Sequence, residues 1–300
     1  MIFAIDTDPG IDDALALLLA WGSPEVEVPA ITTVAGNVPV DVGTVNLLRL
    51  LDLRRPSNRP VVGRGASRPL ARPLVTAKGY HGDDGLGDVP DWPDVDLSSV
   101  VDDGVSIIVE TARRDGQRLT LVALGPLTNV ALALREDRAA FREIGRVVVM
   151  GGAVDVPGNV TPTAEFNIWV DPEAAAEVFE CGREIDVVAL DATRQVVLAR
   201  AELHGALAQL PGRSASRIAA FTERGFRVDA ARGTPGMVLH DPLAVGVAID
   251  PTLIEWERAR LTATTAGETR RATGAPNCRI ARQVDRDRFV AMFLARLGAG

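Results

Sequence analysis

Short β-branched apolar runs alternate with amphipathic stretches from Ile2 to Leu190. Ile2–Ile5 reads as a strand and Asp12–Trp21 as a helix. Val26–Val34 is the next predicted strand, ending at Ala35-Gly36-Asn37, and Val42–Leu53 the next helix. Leu119–Leu124 reads as a strand stopped by Gly125-Pro126, with a helix over Leu127–Arg135. Arg146–Met150 repeats the pattern up to Gly151-Gly152, followed by a helix over Asp171–Glu180 and a strand over Ile185–Leu190. Strands that are apolar throughout, each followed by a helix, predict an α/β fold. Its mostly parallel sheet carries helices on both faces, a Rossmann-like core. Ligands of such sheets bind beyond the carboxyl ends of the strands. Asp6–Asp13, Asn37, the Leu124-Gly125 turn and Met150-Gly151-Gly152 all follow strand ends, so they are expected at one edge of the sheet. Arg54–Trp92, rich in Pro, Gly and Arg, reads as a long excursion over that edge, and Ala201–Leu239 as a helical insertion. With no internal repeat, low-complexity tract or linker, residues 1–300 are expected to form one domain.

Composition narrows the partners. At 300 residues and 47% hydrophobic, the chain can bury a large core, built mainly from Val, Leu, Ala and Ile because aromatics are scarce. A net charge of -8 argues against nucleic acid or an anionic membrane surface as a partner. Cys181 and Cys278 are too few and too far apart for a disulfide framework or a zinc site, and read as free thiols of a reducing compartment. No basic region precedes the first apolar run, and no run approaches the roughly 18 residues of a membrane span. A cytoplasmic protein is expected.

Candidate chemistry begins in the first loop. Asp6, Asp8, Asp12 and Asp13 place four carboxylates within eight positions, and no Lys or Arg occurs before Arg49. Uncompensated charge at that density is costly to fold, and a hard divalent cation is the simplest compensation, since Asp oxygens suit Ca²⁺ and Mg²⁺. Acidic residues at the amide end of the following helix account for Asp12 and Asp13 alone.

Asp6-Thr7-Asp8-Pro9-Gly10-Ile11-Asp12-Asp13-Ala14 resembles the signature of the inosine/uridine-preferring nucleoside hydrolases, a family of calcium-dependent N-ribohydrolases. Further pieces follow in that family's order. They are Thr33-Val34-Ala35-Gly36-Asn37, His81-Gly82-Asp83-Asp84-Gly85, Gly125-Pro126-Leu127-Thr128-Asn129, Met150-Gly151-Gly152, Gly158-Asn159-Val160-Thr161-Pro162, Ala164-Glu165-Phe166-Asn167 and His240-Asp241-Pro242. The resemblance runs from residue 1 to about residue 245. It implies hydrolysis of the N-glycosidic bond of ribonucleosides, with Ca²⁺ held by Asp8, Asp13, Asp241 and the Leu124 carbonyl. Asp6 would support the loop from behind. Asp8 would act as general base on the attacking water and His240 as proton donor to the leaving base. Asp12 and Asn167 would hold the 2′- and 3′-hydroxyls and Asn159 and Glu165 the 5′ side, with Met150 against the ribose. Asn37 and Phe166 join the expected substrate contacts. His81 is either a nucleobase contact or a structural residue of its glycine-rich loop. Within Phe221–Leu239, Phe226 and Arg232 are candidates for the base side, whereas His204 reads as surface or packing. Relatives of this kind form homodimers or homotetramers.

Two other readings stand beside this one. Asp6-Thr7-Asp8 after a strand also resembles the nucleophile loop of haloacid-dehalogenase-type phosphatases, but the only lysine, Lys78, lies in the wrong part of the order for that chemistry. A non-catalytic nucleoside or ribose binder is expected to lack the water-activating Asp or the proton donor, and both residues are present. None of the matched motifs brings Lys or Arg to a pocket rich in carboxylates, which favours free nucleosides over nucleotides.

Overall fold

Successive residues of the inner strands feed two separate cores. Phe3 and Ile5 pack into one and Ala4 into the other; Val122 and Val148 join the first, while Leu121, Ala123, Val147 and Val149 join the second. This is the period-two alternation of a sheet covered on both faces. The structure, a computed structural model, describes residues 1–210 and 212–297. Its main sheet has eight strands in the spatial order Val61–Arg64, Glu27–Thr33, Ile2–Thr7, Leu119–Ala123, Arg146–Met150, Ile185–Val188, Cys278–Val284 and Ile254–Ala259. All neighbours run parallel except the last pair, so the expected α/β architecture is present.

Helices Ile11–Trp21, His240–Ile249 and Arg286–Leu297 cover the first core, and Gly104–Asp115, Thr128–Glu136 and Pro172–Phe179 the second. Asp241–Ile249 is buried at every position, which is why that helix shows no polar face in the sequence. The helices and strands expected up to Leu190 form with bounds shifted by one or two residues.

Three strands of the main sheet were not legible. Val61–Arg64 lies inside the Pro-, Gly- and Arg-rich excursion, so the segment crossing the sheet edge begins only after it. Ile254–Ala259 is an edge strand whose apolar pattern is broken by Glu255, Glu257 and Arg258. Cys278–Val284 carries Arg279 in register with Asp186 of the neighbouring strand, an ion pair within the sheet that interrupts the apolar pattern. Arg146 also bonds Asp186, and Trp256 lies beneath the guanidiniums of Arg146 and Arg279.

The stretch expected to be helical, around 201–239, holds helices Arg200–Leu207 and Gly212–Ala231, between two short strands, Val197–Leu198 and Met237–Val238, that pair antiparallel. None of the described helices is long and apolar enough to cross a membrane.

Chain order places the site. From Ile2–Thr7 the sheet grows to one side through Glu27–Thr33 and Val61–Arg64, then resumes on the other side with Leu119–Ala123. The loops leaving Thr7 and Ala123 therefore splay apart and leave a crevice at this switch point.

Candidate active site

Asp13 organises the first loop. It stands in the first turn of helix Ile11–Trp21, and its carboxylate accepts from the Gly10 amide at 2.9 Å, the Asp8 amide at 3.2 Å and Asn37 Nδ2 at 3.0 Å. The Thr7 hydroxyl donates to the same group. The turn from strand to helix is thus closed by a side chain at the helix's own positive end. Asp8 Oδ2 accepts the Asn37 amide at 2.7 Å. Its carboxylate fills a slot between two glycines: a Cβ would come within 2.1 Å of it at Gly36 and 2.6 Å at Gly125. Only glycine permits that approach.

Behind this loop, Asp6 is fully buried and accepts from Thr32 Oγ1 at 2.6 Å and Asn129 Nδ2 at 2.7 Å. Asn129 also donates to the Thr33 carbonyl at 3.0 Å and accepts the Ala66 amide at 2.8 Å, tying three strand ends together. Replacing Asn129 by Ala leaves the Ala66 amide and an Asp6 oxygen without these partners. It is expected to cost about 2–3 kcal/mol of stability, seen as a lower urea midpoint. A midpoint equal to the parent's would show that Asn129 does not brace this loop.

Asp12, Asp13 and Asp241 each aim a carboxylate oxygen at a common point, all within 4.8 Å of one another and all buried. Burial first, and the neighbouring Asp13 charge second, raise the Asp8 carboxyl well above its usual range and take Asp12 to about 8. Burial, then the charges of Asp12, Asp13 and Asp8, raise Asp241 likewise. Asp8 Oδ1 and Asp12 Oδ1 have no hydrogen-bond partner among the described residues. Buried acceptors left open beside like charges fit a hard divalent cation, which supplies the missing positive charge to an oxygen-only donor set. The group could therefore hold a metal ion.

Above these carboxylates lies a cleft of about 660 Å³, within the size range of small-molecule sites. Asp12, Asn37, His81, Met150, Asn159, Glu165, Phe166, Asn167, His240 and Asp241 all line it. Asp6, Asp8, Asp13 and Leu124 stand behind that lining; the Leu124 carbonyl accepts Asn167 Nδ2 at 2.6 Å. Phe226 is buried under Arg200 and does not line the cleft, whereas Arg232 does. His204 is exposed on its helix.

The lining groups are largely committed to partners. Glu165 caps helix Phe166–Val170, accepting the amides of Gly152 at 2.9 Å, Asn167 at 3.0 Å and Ile168 at 3.3 Å. Asn159 Oδ1 accepts the Phe166 amide at 2.9 Å, which leaves Nδ2 as its open donor. His81 Nδ1 accepts the Ile11 amide at 3.0 Å, so Nε2 carries the ring proton; burial holds the imidazole neutral, with a pKa near 3. His81 thus has a structural bond and a place on the cleft wall at once. His240 Nδ1 shares a 2.8 Å hydrogen bond with Thr193 Oγ1, and burial, with Arg194 and Arg232 nearby, lowers its pKa to about 4.

Residues 3–291 match the model of the inosine-uridine preferring nucleoside hydrolases. The chain belongs to that family. It is 38% identical over 308 residues to a pyrimidine-specific ribonucleoside hydrolase, RihA, of Salmonella schwarzengrund (strain CVM19633), covering 98% of this chain and 97% of that one. A purine-preferring ribonucleoside hydrolase from Gardnerella vaginalis superposes with a TM-score of 0.93 at 32% identity, covering 99% of this chain and 98% of the other. A plant nucleoside hydrolase, PpNRh1, gives 0.92 at 32% identity, with 100% and 99% covered.

Several cleft residues of this nucleoside hydrolase escaped sequence reasoning. Tyr80 donates its hydroxyl to Asp229 Oδ2 at 3.0 Å, and the same oxygen accepts the Val238 amide at 3.0 Å. Arg232 lies over the Tyr80 ring at 5.5 Å. Arg194 lines the cleft beside Gly158 and Asn159. The one available signal was that Tyr80, the only tyrosine of the chain, immediately precedes His81.

Proposed function

We propose that this nucleoside hydrolase cleaves the N-glycosidic bond of free ribonucleosides, giving ribose and the free base. Asp8 acts as general base and His240 as proton donor, and the resident cation is Ca²⁺. The reading rests above all on the buried carboxylates gathered beneath the cleft with acceptor oxygens left open.

Asp8, Asp13, Asp241 and the Leu124 carbonyl would hold the cation, with Asp12 beside them; this oxygen-only set suits Ca²⁺, whose geometry is looser than that of Mg²⁺. Such a cation would offset the carboxylate repulsion and supply Lewis-acid chemistry that lowers the pKa of a water molecule. Asp8, with Oδ1 open, accepts a proton from the attacking water. The oxygen bonds to C1′ while the C1′–N bond breaks and its electron pair leaves with the base. His240 donates as the imidazolium, with Nδ1–H on Thr193 Oγ1 and the Nε2 proton passed to the departing nitrogen; a pKa lowered to about 4 makes that cation a strong acid. Solvent returns the Asp8 proton to the imidazole. Asp12 and Asn167 bind the 2′- and 3′-hydroxyls, Asn159 and Glu165 the 5′ side; Met150 packs on the ribose, and Asn37, His81 and Phe166 complete the contacts. Carboxylates surrounding the sugar favour the cation-like transition state over the neutral substrate.

Of the two arginines on the cleft wall, Arg194, the one beside Asn159, is not free for a 5′-phosphate. Arg194 spends its terminal nitrogens on backbone carbonyls, and Arg232 sits on Tyr80. The phosphatase alternative loses its nucleophile, since Asp6 is sealed under Thr32 and Asn129. Buried unpaired Cys181 and Cys278 support a cytoplasmic enzyme, which on family resemblance works as a homodimer or homotetramer.

The test is a panel of purine and pyrimidine nucleosides, assayed for released ribose with and without a chelator. Ribose release that chelation abolishes is the expected result. No release from any nucleoside would overturn the reading.

A further inference from the structure

The loop from Val154 to Thr163 has no helix or strand of its own, yet it carries Asn159 to the cleft wall. Its near half is held from outside by the turn Leu190–Gln195, with Arg271 and Arg282 on Asp155. Asp191 accepts the amides of Val154 at 2.9 Å and Asp155 at 3.0 Å, and Arg282 bridges Asp155 and Asp191 at 2.8 and 3.0 Å. Arg194 donates Nη1 to the Pro157 carbonyl at 2.7 Å and Nη2 to the Gly158 carbonyl at 2.8 Å. The planar guanidinium thus spans two consecutive carbonyls, a two-point grip that a lysine cannot reproduce. Burial lowers the Arg194 pKa and the Asp191 carboxylate of the same turn partly offsets it, while the guanidinium's direct hydrogen bonds go to these two carbonyls.

Beyond the grip, Gly158 and Asn159 are anchored by the Pro162 and Ala164 carbonyls, at 3.0 and 3.1 Å, and Asn159 Oδ1 by the Phe166 amide. Together these bonds aim Asn159 Nδ2. The neighbouring residue of the same turn, Thr193, orients His240. One rigid turn therefore sets both ends of the cleft.

We infer that Arg194 is a positioning residue for the sugar's 5′-hydroxyl, acting through the Pro157–Asn159 backbone. The inference rests on the proposed role of Asn159 at the 5′ side. A ribonucleoside and its 5′-deoxy analogue should then be told apart by the parent enzyme and much less by Arg194→Met, which keeps the aliphatic stem and removes the fork. Loss of one aimed hydrogen bond changes the ratio of kcat/KM between the two substrates by about tenfold, carried mainly by KM of the hydroxylated one. Arg194→Lys, the conservative variant, restores part of the ratio and keeps the test open should the Met variant fold poorly.

Asn159→Ala serves as the reference. A ratio that falls toward one in both Asn159→Ala and Arg194→Met supports the inference. A ratio unchanged in Asn159→Ala overturns the role of Asn159 and the inference with it. A ratio lost in Asn159→Ala but kept in Arg194→Met overturns the inference alone. Equal losses on both substrates in Arg194→Met mean a general structural role, which also overturns it.

Discussion

Asp8→Asn is expected to lower kcat by about 10³-fold, while nucleoside affinity falls far less. The amide oxygen can still accept the Asn37 amide, because the slot between Gly36 and Gly125 admits a group of the same shape. What disappears is the basic oxygen. Asp8 Oδ1 is buried without a hydrogen-bond partner among the described residues, open to the proton of a water molecule. An amide cannot take the proton of water. The check is kcat from ribose release set beside substrate affinity from calorimetry. An unchanged kcat would remove Asp8 as the base. Equal collapse of affinity and turnover would mean that its main work is holding the site together.

Chelation should have the second largest effect, and its size should depend on pH. In the folded chain without a cation, Asp6 is raised to about 7 and Asp12 to about 8, in both cases chiefly by burial. Unfolded, both carboxyls titrate near 4. Between about pH 4 and pH 8 the folded form therefore holds protons that the unfolded form has released, so stability falls as pH rises through this window. A divalent cation replaces those protons and should restore more stability at pH 8 than at pH 5. At a concentration about 100 times its Kd it adds about 2.7 kcal/mol, which raises Tm by roughly 5 °C in a chain of this size. Thermal scans of chelated protein at pH 5 and pH 8, with and without Ca²⁺ or Mg²⁺, make the comparison. A chelated Tm that is flat or rising with pH, or insensitive to either ion, would count against the carboxylate group as a metal centre.

Much of the architecture was readable because it depends on local pattern. The inner strands are apolar on both faces, as a covered parallel sheet requires, and their ends carry the turn residues and carboxylates. The same logic failed at the two late strands, Ile254–Ala259 and Cys278–Val284, where charged residues break the apolar run. Cys278–Val284 is a strand because Arg279 meets Asp186 in register, a compensation that only the neighbouring strand supplies. The site shows the same division. Asp13, His240 and Asp241 stand out by type and order, whereas Arg194 and Tyr80 acquire their place from backbone carbonyls and a carboxylate far away in the chain.

By itself, the sequence determined the alternation of strand and helix, the concentration of acid after the first strand and the order of the polar motifs, since these follow from side-chain period and backbone chemistry. Tertiary structure alone decided which carboxylates converge. Asp241 is separated from Asp13 by 228 positions, and their oxygens meet because helices Ile11–Trp21 and His240–Ile249 pack side by side on one face of the sheet. It also decided that the amide of Ile11 occupies His81, and that the turn holding His240 also grips the loop bearing Asn159. Contacts of this kind are set by which surfaces the sheet brings together, and no local propensity encodes them.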